Sequence, residues 1–535
     1  MTDPAVGVSA HVDTFTADRL PPQAQWPEFF WDLPELQYPA HLNASVELLD
    51  RTVSAGCGDH TAVIADDGTW TYRELLDDVS AVAALLRDEG VEPGNRVLLR
   101  GPNNARLVVA WLAALRVGAV VVTTIPMLRV TELEPLVDIA RPSVALVDHR
   151  FCDDWSATAF DGTTITYGDS SAESMEVRAR SAVSSSEPTD TAASDTALLA
   201  FTSGTTGRPK ATMHAHRDIL AIADTFSAHV VKPQADDVFS GSPPLAFTFG
   251  LGGLVVFPMR VGATAVLLES GAPSNVLDAI EKHRITCLFT APTAYRAMLP
   301  TIADADVSSL RRCISAGETL PEATWQSWFD ATGIALIDGI GATEMLHIFI
   351  SASDGDIRPG YTGKVVPGYR AQIVNEDMQP VEPGTPGRLA VQGPTGCRYL
   401  NDERQANYVQ EGWNLTGDVY VMDEDGYFQY VARADDMIVS SGYNIAAPEV
   451  ENALLTHHAV AEVAVVGTPD EDRGMVVTAY VVAAAEISPT DDLRRELQDH
   501  VKANIAPYKY PRILEFVEAL PKTATGKLQR FRLRN

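Results

Sequence analysis

The run Thr196-Ala197-Leu198-Leu199-Ala200-Phe201 passes directly into Thr202-Ser203-Gly204-Thr205-Thr206-Gly207-Arg208-Pro209-Lys210. The first half is apolar without alternation, the pattern of a strand buried on both faces. The second half packs hydroxyls, two glycines and a lysine into one short loop. Glycine lets a backbone turn sharply and approach a ligand, so that its N–H groups can point at anionic oxygens. Ser203, Thr205 and Thr206 add side-chain donors, and Lys210 adds a cation. This is the equipment for holding a polyphosphate. It is not the P-loop GxxxxGK[ST], which needs Lys directly after the second glycine; here Gly207 is followed by Arg208-Pro209-Lys210. A polar surface loop is the plainer alternative for such a composition.

Strand and helix patterns alternate on either side of this segment. Thr71-Tyr72-Arg73-Glu74 forms a capping box before a helix with apolar positions Leu75, Val79, Val82 and Leu86, closed by Gly90. Val97-Leu98-Leu99 reads as the next strand. A helix through Val108, Leu112 and Leu115 ends at Gly118, ahead of strands Ala119–Val122 and Val144–Val147. Unalternating apolar runs separated by helices give an α/β class with sheets covered on both faces. Residues 169–195, rich in Ser, Thr, Ala and acids with no apolar period, read as a mobile surface connection. The rhythm resumes with a helix over Val276–His283 and a strand over Ile285–Phe289. From about Val365 to Gln392 short strands broken by Pro and Gly (Ala371–Val374, Arg388–Val391) predict a small β-rich subdomain. After Asp435 a unit of about a hundred residues remains, a usual size for one small domain. Its expected elements are helices near Pro448–Leu455 and Asp491–Ala503 and strands Val463–Val466 and Val476–Val482.

The 535 residues give material for about two to four domains. A formal net charge of −30 argues against binding nucleic acid or an anionic membrane. An anionic substrate must therefore be captured by local donors. The exception is Lys502–Asn535, where eight Lys or Arg face only Glu515 and Glu518. The five cysteines are scattered and never in CxxC spacing, so neither a disulfide framework nor a zinc site is expected; Cys287 and Cys313 sit in apolar runs. Met1–Leu20 carries no apolar signal core, and no stretch approaches about 20 apolar residues, so a cytoplasmic location is expected.

Four further segments follow the loop in order: Ser315-Ala316-Gly317-Glu318; Asp338-Gly339-Ile340-Gly341-Ala342-Thr343-Glu344; Leu415-Thr416-Gly417-Asp418 with Arg433-Ala434-Asp435-Asp436; and Pro521-Lys522-Thr523-Ala524-Thr525-Gly526-Lys527. With residues 202–210, they resemble the adenylate-forming superfamily of acyl-CoA synthetases, luciferases and peptide-synthetase adenylation domains. The departures are small: Ala432 stands where that family usually has glycine, and Ala342 where Ser or Thr is frequent. The resemblance implies a large N-terminal domain (1–434) of two sheet-and-helix subdomains plus the β-rich one. A small mobile α+β C-terminal domain (435–535) would hinge at Asp435. It also implies ATP, Mg²⁺ and coenzyme A.

Each motif then carries an implied role. Thr202, Ser203, Gly204, Thr205, Thr206, Gly207 and Lys210 would embrace the β- and γ-phosphates. Thr343 would meet the α-phosphate, and Glu344 would hold Mg²⁺, a hard cation suited to carboxylate and phosphate oxygens. Ala316, Gly317, Glu318, Asp338 and Gly339 would wall the adenine. Asp418 would accept both ribose hydroxyls beside Arg433; read alone, these two are a turn residue and a surface ion pair. Lys527 would reach the substrate carboxylate and the α-phosphate. Ser441, Gly442 and Tyr443 would line the pantetheine tunnel.

Substrate choice rests on softer signals. In Pro244-Leu245-Ala246-Phe247-Thr248-Phe249-Gly250 the resemblance makes Phe247 an aromatic gate and Phe249 a pocket wall, although buried aromatics are ordinarily core. Ile340 and Gly341 would border the same pocket. Glu344-Met345-Leu346-His347-Ile348-Phe349 and Trp26-Pro27-Glu28-Phe29-Phe30 resemble the benzoate-, 2-aminobenzoate- and hydroxybenzoate-CoA ligase branch. His347 would sense the carboxylate or an ortho substituent, or be a satisfied core histidine. The expected activity is an aryl-CoA ligase, monomeric or homodimeric, acting on a small aromatic carboxylic acid. The alternatives are an aryl-AMP ligase serving a carrier protein or second enzyme, a short- or medium-chain acyl-CoA synthetase, and a non-catalytic adenylate binder.

Overall fold

Local signals set the first helices as the sequence predicts. In the computed structural model Thr71 caps the helix Tyr72–Asp88: its hydroxyl accepts from the Glu74 amide at 3.2 Å, and Glu74 accepts from the Thr71 amide at 2.8 Å. Gly90, at φ +81°, takes the left-handed turn that ends this segment. Asn104 caps the next helix, Ala105–Arg116, by accepting from the Leu107 amide at 2.9 Å. Both helices bury their apolar faces completely. The structure describes residues 7–202, 208–433, 437–440, 443–470, 474–485, 487–522 and 528–534.

Four sheets organise the chain. A six-stranded sheet runs in the order Thr163–Tyr167, Val144–Asp148, Arg96–Arg100, Val120–Thr124, Thr196–Thr202, Lys210–Ala215. It is parallel except for the last pair. A nine-stranded sheet has six consecutive parallel strands at its centre: Thr61–Ala65, Thr264–Val266, Val238–Gly241, Cys287–Thr290, Arg312–Ser315 and Leu336–Gly341. A single large core unites the facing sides of these two sheets with the helices between them. The β-rich unit is larger than the sequence suggests. It joins Arg370–Val374 and Gly387–Gln392 to Val409–Gln410, Trp413–Met422 and Phe428–Arg433, all antiparallel.

The fourth sheet, with strands Met437–Ser440, Tyr443–Ala446, Val460–Asp470, Gly474–Ala483 and Ile513–Phe516, is covered by helices Ala447–Leu455 and Asp491–Asn504. Its core is its own, built on Ile438, Val450, Leu454, Val465, Val481 and Leu497. All five cysteines are unpaired, and burial raises the thiol pKa of Cys287 to about 12. Among the described residues no helix is long and apolar enough to cross a membrane.

Residues 169–195 run over the surface as expected, but with local structure and anchors that the sequence does not announce. Met175–Ala179 forms a helical turn with both ends buried, and Thr191, Ala192 and Ala193 are buried as well. The segment is fixed through its backbone. Arg87 donates to the carbonyl of Glu187 at 2.8 Å, Arg116 to that of Ser186 at 2.8 Å, and Asp88 accepts from the amides of Val183 and Ser184. Arginines on neighbouring helices do what an apolar stripe does elsewhere, which is why no hydrophobic period announces it.

Candidate active site

The motifs meet at the carboxyl ends of the parallel strands, where open α/β sheets bind ligands. Ser315 pairs in register with Asp338, so Ala316-Gly317-Glu318 leaves one strand beside the Asp338–Glu344 run of the next. Gly317 has φ +89°, a conformation that strains any side chain. Thr343 and Glu344 begin a single 3₁₀ turn, held from the other sheet by His214, whose Nε2–H donates to the Thr343 carbonyl at 2.8 Å. Burial lowers the His214 pKa to about 4, so the imidazole is neutral.

The strands that flank the 202–210 segment are antiparallel, with Thr202 opposite Lys210. Ser203, Gly204, Thr205, Thr206 and Gly207 lie outside the described residues. The exit of the loop is braced by Arg404, which donates to the carbonyls of Arg208 at 3.0 Å and Pro209 at 3.4 Å and is itself held by Asp402. Lys210 is not turned out to solvent. Its Nζ lies 3.2 Å from Glu344 Oε1, hydrogen-bonds the Tyr399 hydroxyl, and sits 4.3 Å from the centre of the Tyr399 ring. Tyr399 in turn donates to Glu344 Oε1. Burial first, then the Glu344 charge, raises the Tyr399 pKa, so the phenol keeps its proton. Nothing in the sequence reading singled out Tyr399 or Arg404, since neither stands in a motif with a chemical signature.

On the β-rich sheet, Asp418 and Arg433 are directly opposite on antiparallel strands and form a 3.0 Å ion pair. Burial works against the Arg433 charge, but Asp418 outweighs it and the pKa is raised. Gly417, at φ +80°, leaves room for the guanidinium. Asp338 faces a recess lined by Leu320, Trp325, Leu336 and Tyr361. Its Oδ1 has no hydrogen-bond partner among the described residues, and burial pushes its pKa well above the carboxylate range.

Beyond the Thr343 turn lies a cage of rings. Phe247 precedes the helical turn Thr248–Leu251 and is 37% exposed; Phe249 is half-buried. The helix continues through a wider π-helical stretch, Gly252–Val256, and then Phe257–Val261. His347 is buried among Phe226, Phe249 and Phe257, with ring centroids 5.3, 5.8 and 4.7 Å away, and Phe289 backs the group. A Cβ at Gly252 would strike the His347 ring, and one at Gly253 the Phe289 ring. Gly341 similarly leaves room for the His347 backbone, beside half-buried Ile340. His347 is core, and its ring nitrogens are sparsely engaged: neither makes a hydrogen bond of good geometry among the described residues, and the Phe249 backbone is the polar group that acts on the ring. Burial lowers its pKa to about 3, so it is a neutral hydrogen-bonding group and not a cation.

The AMP-binding enzyme family matches residues 49–399, and the AMP-binding enzyme C-terminal domain matches residues 449–527. The chain belongs to the AMP-binding enzyme family. Among AMP-binding enzymes, benzoate–CoA ligase of Thauera aromatica is 35% identical over 513 residues, covering 94% of this chain and 97% of that protein. The 3-hydroxybenzoate–CoA ligase of Aromatoleum sp. (strain CIB) is 34% identical, covering 92% and 96%. The crystal structure of the anthranilate CoA ligase AuaEII in complex with anthranoyl-AMP superposes with a TM-score of 0.89 at 35% identity, over 94% of this chain and 98% of that one. A benzoate CoA ligase from Burkholderia xenovorans LB400 gives 0.85 at 32%, over 92% and 100%.

Of the positions the sequence singles out, Thr202, Lys210, Thr343 and Glu344 form one group. Ala316, Gly317, Glu318, Asp338 and Gly339 follow from adjacent strands, and Asp418 and Arg433 form a pair. Phe249, Ile340, Gly341 and His347 border the ring cage. Tyr443 begins the strand Tyr443–Ala446. Asp435, Ser441, Gly442 and Lys527 lie outside the described residues.

Proposed function

We propose that this protein is an ATP-dependent aryl-CoA ligase. A carboxylate oxygen of an aromatic acid attacks the α-phosphorus of ATP, the bond to the β-phosphate breaks and pyrophosphate leaves. The coenzyme A thiol, losing its proton, then attacks the acyl carbon, and AMP departs with the electron pair of the acyl–phosphate bond. The first step converts a poor electrophile into one with a good leaving group, and positioning with charge neutralisation supplies most of what it needs.

The observation that carries the reading is the cage around His347. Large rings pack around one imidazole at short range, and the relatives named above are benzoate-, hydroxybenzoate- and anthranilate-CoA ligases. A neutral imidazole whose nitrogens make no well-formed hydrogen bond among the described residues suits an NH₂ or OH placed ortho to the carboxylate. A polar group left unpaired without that substituent discriminates better than an apolar wall. We assign 2-aminobenzoate or salicylate as preferred over long fatty acids.

At the other end, residues 202–207 and Lys210 hold the departing pyrophosphate, and Thr343 contacts the α-phosphate. Ala316–Glu318 with Asp338 and Gly339 flank adenine, and Asp418 beside Arg433 holds the ribose. Among the described residues no cluster of three or more His, Cys, Asp or Glu offers a metal cage. Glu344, a single buried carboxylate with Oε2 unengaged, fits Mg²⁺, which takes one or two carboxylates plus phosphate oxygens. When bound, that ion neutralises phosphate charge. Lys527 carries the reacting carboxylate toward the α-phosphate. Asp435 is the hinge between an N-terminal domain, 1–434, and a C-terminal domain, 435–535, and Ser441-Gly442-Tyr443 lines the path of pantetheine. The test is AMP release with a panel of acids, with and without coenzyme A. Acid-dependent AMP release with no thioester formed would point instead to a ligase that hands its adenylate to another acceptor.

A further inference from the structure

Glu344 is buried, and both of its recorded partners, the Lys210 ammonium and the Tyr399 hydroxyl, reach the same oxygen, Oε1. Oε2 carries no hydrogen bond among the described residues. Tyr399 is rigid. Its amide donates to Gln405 Oε1 at 2.8 Å, and Gln405 is pinned by donating to the carbonyls of Gln25 at 2.8 Å and Cys397 at 3.1 Å. The neighbouring Leu400 amide bonds the Ala211 carbonyl at 2.9 Å, tying this segment to the strand that carries Lys210. Tyr408 crosses the Tyr399 ring edge-on at 5.8 Å and completes an aromatic seat for the Lys210 ammonium.

On the ligase reading, on which this inference rests, Lys210 must leave Glu344 to reach the phosphates of ATP. We infer that Tyr399 is the positioning residue of the metal–phosphate site: its hydroxyl keeps Glu344 Oε1 engaged while Lys210 changes partners, so that Oε2 stays aimed at the incoming magnesium–nucleotide. Without it, the departure of Lys210 strands a buried carboxylate with no partner, free to rotate. The tyrosine touches neither substrate nor metal; it acts through Glu344.

The test compares ATP binding to the full chain in EDTA and in excess Mg²⁺, for wild type, Tyr399→Phe and a variant with p-aminophenylalanine at position 399, which retains a donor. Tyr399→Phe should bind metal-free ATP within about twofold of wild type, yet lose about tenfold of the Mg²⁺-linked gain. The p-aminophenylalanine variant should restore it. An undiminished gain in Tyr399→Phe overturns the assignment. So does an equal loss of both affinities with a lowered melting temperature, which is the signature of packing alone. If Tyr399→Phe does not fold, a p-aminophenylalanine variant whose gain is cut as deeply overturns it too. Acid-dependent pyrophosphate exchange by wild type is measured alongside. Its absence refutes the ligase reading itself; its presence with an unaltered Tyr399→Phe refutes only the role of Tyr399.

Discussion

Around His347 phenylalanine rings and glycines fix a shape, whereas three residues away, at Glu344, a buried carboxylate is held by the Lys210 ammonium and the Tyr399 hydroxyl. The two regions share the turn Thr343–Met345 and the left-handed residue Leu346, at φ +66°. On the proposed function they would select by different physics. The cage is uncharged and would read size and one hydrogen bond. The charged end would exchange partners and read phosphate and metal. A family of this chemistry can therefore alter its acid by changing rings and glycines while leaving the activation machinery intact.

The strongest way to break this contrast is to remove charge where charge does the chemistry. Lys527→Ala should lower adenylate formation by about a thousandfold or more, while thiolysis of a supplied acyl adenylate stays within a few-fold. Equal loss in both half-reactions would contradict the role given to Lys527. Next comes shape. Gly252→Ala drives a methyl into the His347 ring and should cost about a hundredfold in kcat/KM for the aromatic acid, with KM for ATP within about twofold. An equal rise in both KM values would mean the two ends are not separable.

A smaller change sharpens the polar feature of the cage. His347→Leu should leave benzoate turnover within a few-fold but reduce the preference for an ortho-amino or ortho-hydroxy acid by about tenfold. Because the imidazole is neutral, that preference in wild type should be flat between about pH 6 and about pH 8. The smallest effect is on stability. His214, His216 and His347 sit at about 4, about 3 and about 3, below the ordinary 6.5, because burial disfavours their charged forms. The unfolded chain binds their protons first, so stability present above pH 6.5 is lost as pH falls toward the folded values. The melting temperature should decline steadily below pH 6.5, less steeply in His347→Leu. A level profile would show that these histidines are protonated in the folded chain.

Much of this was legible in the sequence because it rests on local signals. The capping box at Thr71, the glycine stops at Gly90 and Gly118 and the buried strands around Val97 and Val144 each need only their neighbours. The motifs at 316–318 and 338–344 leave neighbouring parallel strands, and 418 stands opposite 433 on an antiparallel pair. What remained hidden depends on contacts between distant segments. Tyr399 meets Glu344 across 55 positions, Arg404 meets Pro209 across 195, and Arg87 grips Glu187 across 100. Phe226, Phe257 and Phe289 read as anonymous apolar residues until the fold places them around one histidine. The antiparallel pairing of Thr196–Thr202 with Lys210–Ala215 was hidden too, since a strand followed by glycines does not say which way the chain returns.

The central claim is that an aromatic-acid cage sits on a carboxylate-activating site. It is tested most directly by acid-dependent ATP–pyrophosphate exchange on the wild-type protein with benzoate, 2-aminobenzoate, salicylate, hexanoate and a longer fatty acid. Strongest exchange with the ortho-substituted aromatic acids, and little with the aliphatic ones, is the predicted result. Strongest exchange with hexanoate or a longer chain would contradict the account.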